Sequence, residues 1–234
     1  QTGASFVTTC WTLIDRARSG DEETRRAAAE ECARLYWPPV YACARRLTRT
    51  RDEALDLTQA FFADVVLARG LFDRADRATG SARSLVRAAL KRFATDQWRR
   101  GQARGQGMLV SGEAIEREEG LARDEDPGTA FDRRWALSMF EEAMRRCETH
   151  FEHAGRAQHW RLFEARVVRE SPVPLSEAGT AHGFESAPLA AAAVQTVKRR
   201  LDAILREVVA ETARDQREAT SEFEQVLALL AARA

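Results

Sequence analysis

Apolar positions recur at spacings of three and four along almost the whole chain, and no useful stretch alternates residue by residue. The pattern predicts helices and no sheet. Thr9 can cap a short helix over Trp11 to Arg18, and Asp21 a second one to about Tyr36. Trp37-Pro38-Pro39 is expected to stop that helix, and a short one follows from Val40 to Leu47. The next covers about Arg51 to Arg69, with Leu57, Phe61 and Val65 on one face and Gly70 at its end. Leu71 to Gly80 reads as a loop, and a long helix runs from about Ala82 to Arg100.

Periodicity then lapses. Residues 101 to 130 hold six glycines and one proline, and seven acids against two arginines lie between Ser111 and Asp126. Such a stretch reads as a flexible, acidic linker between helical domains. Periodicity returns at Phe131, with helices expected over Asp132 to about His153 and Ala157 to about Arg169. Ser171-Pro172-Val173-Pro174 forces a loop. A short helix from Ser176 to about His182, a turn at Gly183, a long helix from about Ala187 to Ala213 and an amphipathic stretch from Ser221 to Ala231 complete the chain. The fold class expected is all-α: two small helical domains, 1–104 and 131–213, joined by a linker over 105–130 and followed by a C-terminal amphipathic helix in 214–234.

The 234 residues are 44% hydrophobic, enough to bury a core, and no apolar run approaches the roughly 18 residues that span a bilayer. No cationic start leads into an apolar stretch, so a cytoplasmic location without membrane insertion is expected. The formal net charge of zero argues against a uniformly cationic coat, so the placement of charge matters more than its sum. Cys10, Cys32, Cys43 and Cys147 form no CxxC pair and read as buried free thiols. Cys147, His150, His153 and His159 are of zinc-ligand type, but spacings of three and six drift around a helix, so no metal site or cofactor is assigned. No glycine-rich phosphate loop, HExxH or nucleophile elbow is present, and the reading is not that of an enzyme.

Three segments carry candidate chemistry. Ala82 to Arg104 holds seven basic residues and one acid, with Arg83, Arg87 and Lys91 repeating at four, and Arg92, Arg99 and Arg100 beyond them. Phe93 and Trp98 interrupt the charge. A basic helix with aromatics suits a phosphate backbone, and aromatics stack on unpaired bases; a solvated face with two core aromatics is the plainer alternative. Ser176 to Arg206 has the outline of a helix-turn-helix, with Gly183 at the turn and Ser186 and Pro188 opening the second helix. Its polar reach begins at Gln195, Thr196, Lys198, Arg199 and Arg200, side chains suited to bases and phosphates; an ordinary helical hairpin is the alternative. Asp52 to Asp64 is acidic on one side (Asp52, Glu53, Asp56, Asp64) and apolar on the other (Leu57, Phe61, Phe62, Val65), which fits a partner-binding helix or a plain amphipathic one.

The order of these segments is more informative than any one of them. Glu53 to Phe62, E-A-L-D-L-T-Q-A-F-F, resembles the bacterial sigma-factor region 2 pattern D-A-E-D-L-T-Q-E-x-F. Leu71 to Gly80 (LFDRADRATG), Ser84 to Phe93 (SLVRAALKRF) and Asp96 to Arg100 (DQWRR) follow at the expected distances. Phe6 to Leu13, Leu35 to Tyr41 and Leu205 to Glu211 resemble a branch of extracytoplasmic-function-like sigma factors common in planctomycetes and myxobacteria. The resemblance spans about residues 6 to 213 and is looser in the second half.

The resemblance implies an RNA polymerase sigma factor, with core RNA polymerase and promoter DNA as partners. Asp52, Glu53, Asp56, Leu57, Gln59, Phe61 and Phe62 would bind the polymerase clamp. Arg83, Arg87, Lys91, Arg92, Trp98, Arg99 and Arg100 would hold the minus-ten strand, and the helix-turn-helix would read the minus-thirty-five element. The chain departs from the family where Leu55 and Ala60 stand in place of acids and Ala82 in place of an aromatic. Those lost carboxylates weaken docking on a basic partner. An anti-sigma factor or a Ser/Thr kinase enters as a regulator; a phosphate on Thr58 would restore the charge, and the plainer alternative is that the Thr58 hydroxyl bonds back to the Ala54 carbonyl. Rival readings are a sigma-like regulator that binds without initiating, a conventional dimeric helix-turn-helix regulator, and a helical adaptor.

Overall fold

The computed structural model describes residues 21–71, 80–103 and 125–232; the expected helix over Trp11 to Arg18 and most of the expected linker lie outside them. Among the described residues the structure is helical, with no strand, and no helix is long and apolar enough to cross a membrane.

Helix α1 (Glu22–Leu47) opens where the sequence indicates: the Asp21 carboxylate accepts the N–H of Thr24 at 2.8 Å, and Glu22 and Glu23 face the positive end of the helix dipole. It does not stop at Pro38-Pro39 but carries both prolines inside one continuous helix. Two helix donors are lost there, yet Tyr36, Val40, Cys43 and Ala44 form a buried stripe at helical spacing, and Trp37 stacks on Phe62 with ring centroids 5.3 Å apart. Tertiary burial outweighs the local breaker.

Helix α2 (Arg51–Phe61) starts with a capping box: Thr50 accepts from the Glu53 N–H, and the Glu53 carboxylate accepts from Thr50 and Arg49 N–H groups. The α-helix expected to Arg69 widens instead into π-turns over Phe62–Leu67. The wider turn rotates the face, so that Phe61, Phe62, Val65 and Val66 are all buried. Helix α3 (Ala82–Ala103) packs Val86, Leu90 and Phe93 inward, and Phe93 meets Phe61 edge-on at 5.8 Å.

Helix α4 (Pro127–His153) begins earlier than the expected Asp132. The sequence supplies its own start: the Asp126 carboxylate accepts from the N–H groups of Gly128 and Thr129, and Pro127 takes the first helical position. Helix α5 (Ala157–Phe163) also ends in π-turns, over Glu164–Val168. Helices α6 (Leu175–Ala181), α7 (Ala187–Ala210) and α8 (Gln216–Ala231) follow, and α8 starts five residues before the expected Ser221, on an Asp215 cap.

The chain forms two compact units: one of residues up to Ser138 and from Val209 onward, the other of Met139–Val208. The division falls inside α4 and α7. The first unit therefore includes the start of α4 and the whole of α8, with Phe131, Trp135, Phe223 and Val226 in its core. The core of the second includes Met139, Leu162, Val197 and Ile204.

Candidate polymerase and nucleic-acid surfaces

On α2 the capping box and the buried Ala54, Leu57 and Phe61 fix which side faces out. Asp52, Asp56 and Gln59 are exposed, as is Asp64 in the π-turns, and Leu55 and Leu67 are 37% and 62% exposed. Glu53 is committed to the cap. Leu57, Phe61 and Phe62, expected to meet a partner, are instead core residues at 1%, 0% and 6% exposure. Their apolar spacing is that of a buried stripe, and the intramolecular core has taken it. Thr58 is fully buried, and its hydroxyl donates to the Ala54 carbonyl at 2.7 Å. This is the plainer of the two readings of Thr58; a phosphate, roughly −1.5 to −2 in charge, has no room at that buried position.

The basic stripe of α3 divides in two. Arg83 is buried. Its guanidinium bonds the Asp132 carboxylate (Nε 3.0 Å, NH2 2.9 Å) and the Gln225 side chain (3.0 Å), and reaches Glu222 at 4.0 Å. It also lies 4.5 Å from the ring centroid of Trp135. Arg87 shares Asp132, through the other carboxylate oxygen at 2.7 Å. Arg83 therefore cannot serve as the expected phosphate contact: acids supplied from α4 and α8 hold it inside. The C-terminal segment grips the same place once more, since the Ala82 N–H donates to the Thr212 carbonyl (3.2 Å), and the Thr212 hydroxyl lies 3.2 Å from the Glu222 carboxyl. Burial pushes the Glu222 carboxyl above the usual range, against the opposing pull of Ser81, Arg83 and Thr212. Further along α3, Lys91, Arg92, Arg99 and Arg100 are exposed, and Trp98 is 41% exposed.

In the second unit, α6 and α7 are joined by a tight turn. Gly183 has φ +82°, a left-handed conformation that favours glycine, and the Phe184 N–H closes onto the Gly179 carbonyl at 2.9 Å. A Cβ on Gly179 would stand 2.6 Å from that of Ala190, so the missing side chain lets the two helices approach. Beyond the turn Leu189, Ala192, Gln195, Lys198 and Arg199 are exposed. Thr196 bonds back to the Ala192 carbonyl (2.8 Å), and Arg200 lies 3.8 Å from Glu207. Ala190, Val194, Val197 and Leu201 face the core.

The Cys147 and histidine cluster does not assemble. Among the described residues, no three side chains of ligand type come together. Cys147 is buried and its thiol is pushed up to about 11 by desolvation. His159 stacks on Phe151 and meets Phe184 edge-on, and burial lowers its tendency to protonate. Cys43 is likewise a buried free thiol. No protein-family model matches the chain, and no curated protein or solved structure is significantly similar to it.

Proposed function

We propose that this chain is an RNA polymerase sigma factor of the extracytoplasmic-function-like type, which binds core polymerase through the outer face of α2 and promoter DNA through α3 and the α6–α7 helix-turn-helix. The observation that carries the reading is the outer surface of α3 beyond Leu90, where four cations, Lys91, Arg92, Arg99 and Arg100, stand with the half-exposed indole of Trp98. Cations hold phosphates without regard to sequence, and an exposed indole stacks on an unpaired base. The resemblance of Glu53 to Phe62 and of Asp96 to Arg100 to sigma region 2 supports the same assignment. The polymerase contact then rests on Asp52, Leu55, Asp56, Gln59 and Leu67, not on the buried Leu57, Phe61 and Phe62.

The exposed α7 positions Leu189, Ala192, Gln195 and Arg199 lie at spacings of three and four, which suits a helix laid in the major groove. In vitro transcription with purified core polymerase and a promoter library tests the proposal. Transcripts that depend on this chain, and that are lost with Trp98→Ala or Arg99→Ala/Arg100→Ala, are expected. A second reading, a sigma-like regulator that binds without initiating, is favoured by the exposed apolar Leu55 where the family has an acid; polymerase capture without transcripts would select it. Neither capture nor transcripts would defeat both.

A further inference from the structure

The first unit contains a cavity of about 410 Å³ between the C-terminal part of α1, the middle of α3 and the start of α4. Its volume lies in the range of small-molecule sites. The body is apolar, lined by Leu47, Leu90, Ala94 and Phe131, with the indole of Trp98 beside them. Desolvation there pushes the lining Cys43 thiol up to about 12.

The polar groups around this chamber are nearly all committed. Asp126 accepts from the N–H groups that open α4. Arg87 is paired with Asp132 at 2.7 Å, a carboxylate that it shares with Arg83. The Thr95 hydroxyl donates to the Lys91 carbonyl at 2.8 Å. The exception is Lys91, whose ammonium is exposed and has no partner among the described residues. An apolar chamber with one uncommitted cation selects a ligand with an apolar body and a single anionic head.

From this we infer that the chamber is a binding site for a small amphipathic monoanion, its hydrocarbon among Leu47, Leu90, Ala94 and Phe131 and its head on Lys91. A nucleic-acid backbone does not satisfy the same site, because it brings charge without an apolar body. The inference stands on the cavity alone and does not depend on the sigma-factor reading.

Isothermal titration of the full chain with decanoate, below its micellar concentration, tests it. Saturable binding of one decanoate per chain is expected. Decyltrimethylammonium, with a tail of similar length and the opposite charge, should bind at least about fivefold more weakly. Lys91→Gln should weaken decanoate by about fivefold, in keeping with the modest energy of an exposed ion pair, and narrow the preference between the two amphiphiles. Ala94→Phe, which fills the chamber, should abolish binding while the helical circular dichroism is kept. No saturable binding up to millimolar decanoate overturns the inference, as does equal binding of anion and cation. Unchanged binding by Lys91→Gln also overturns it, and this variant decides the matter even if Ala94→Phe fails to fold.

Discussion

Helices α3 and α7 both look basic in sequence, and the fold treats the first cation of α3 in the opposite way to those of α7. On α3 the stripe begins with Arg83, whose side chain is only 8% exposed and whose acceptors lie 49 and 142 residues away in sequence. On α7, Lys198 and Arg199 are exposed, Arg200 lies 3.8 Å from Glu207, and Arg206 pairs with Asp202 on its own helix. Spacing reveals which residues share a stripe. Whether distant acids fold onto that stripe decides if it is a binding face or an internal fastening.

The largest expected effect separates these two cases. Breaking a buried ion pair from one side leaves an uncompensated charge and costs roughly 3–5 kcal/mol. Arg83→Ala should lose stability of that order in urea unfolding, because it leaves the buried Glu222 without its guanidinium and Asp132 with Arg87 alone. Arg199→Ala, on an open face, should stay within about 0.5 kcal/mol of the parent. Similar losses for the two variants would erase the contrast between the helices.

A second effect concerns what positions α7. Gly179→Ala places a methyl group 2.6 Å from the Ala190 side chain, and overpacking of this kind costs roughly 1–3 kcal/mol. The same substitution in an open helix would be stabilising, since alanine is the better helix former by about 1 kcal/mol. A rise in melting temperature for Gly179→Ala would therefore show that α6 and α7 do not approach so closely.

Much of the fold was legible in the sequence because its signals are local. Asp21, Asp126 and Thr50 each cap a helix with their own side chain, and the first of these is read as a start from the sequence. The prolines at 38 and 39 misled because their cost is local while the compensation, Trp37 on Phe62 and Tyr36 and Val40 in the core, comes from elsewhere. The π-turns after Phe61 have no local sign in the sequence, because the buried positions Phe61, Phe62, Val65 and Val66 fit the wide apolar face of an ordinary α-helix equally well. In the candidate site, the exposure of Asp52, Asp56, Lys91 and Arg199 followed the helical period. The apolar half of α2 is where periodicity was ambiguous, since Leu57 and Phe61 satisfy a core and a partner interface equally well on paper. The part played by α8 had no local sign, because Glu222 and Gln225 become meaningful only beside Arg83.

A third, smaller effect sharpens the comparison within α3. Each phosphate contact on duplex DNA contributes about −0.9 to the slope of log affinity against log salt. Lys91→Ala, Arg99→Ala and Arg100→Ala should each flatten that slope by up to about one unit. Arg87→Ala should leave it nearly unchanged, because its charge is already balanced by Asp132 at 2.7 Å. Filter binding from low to moderate salt measures both. A slope that falls as much for Arg87→Ala as for Lys91→Ala would place the DNA face further toward the start of the helix than the ion pairs allow.

The smallest expected effect is a pH dependence that reports on the fastening of α8. Glu222 has its carboxyl raised above the ordinary value of 4.5, chiefly by burial, although Ser81, Arg83 and Thr212 oppose the shift. A raised carboxyl binds its proton more tightly in the folded state than in the unfolded one. Over the interval between 4.5 and its folded value, the native chain holds the larger share of the proton, and the slope of unfolding free energy with pH is negative. This group's contribution to stability therefore increases as pH falls through that interval and is lost as pH rises above it. Glu222→Gln removes the titration and should make stability less dependent on pH there. Arg83→Ala should act in the other direction, because loss of the nearby guanidinium raises the Glu222 carboxyl further and extends the window upward. Its deficit should accordingly narrow as the solution is made mildly acidic. Urea midpoints of the parent and both variants, taken across this window, measure the difference. A parent whose stability varies with pH as that of Glu222→Gln does would mean that Glu222 stays charged across the window and meets Arg83 there as an ion pair.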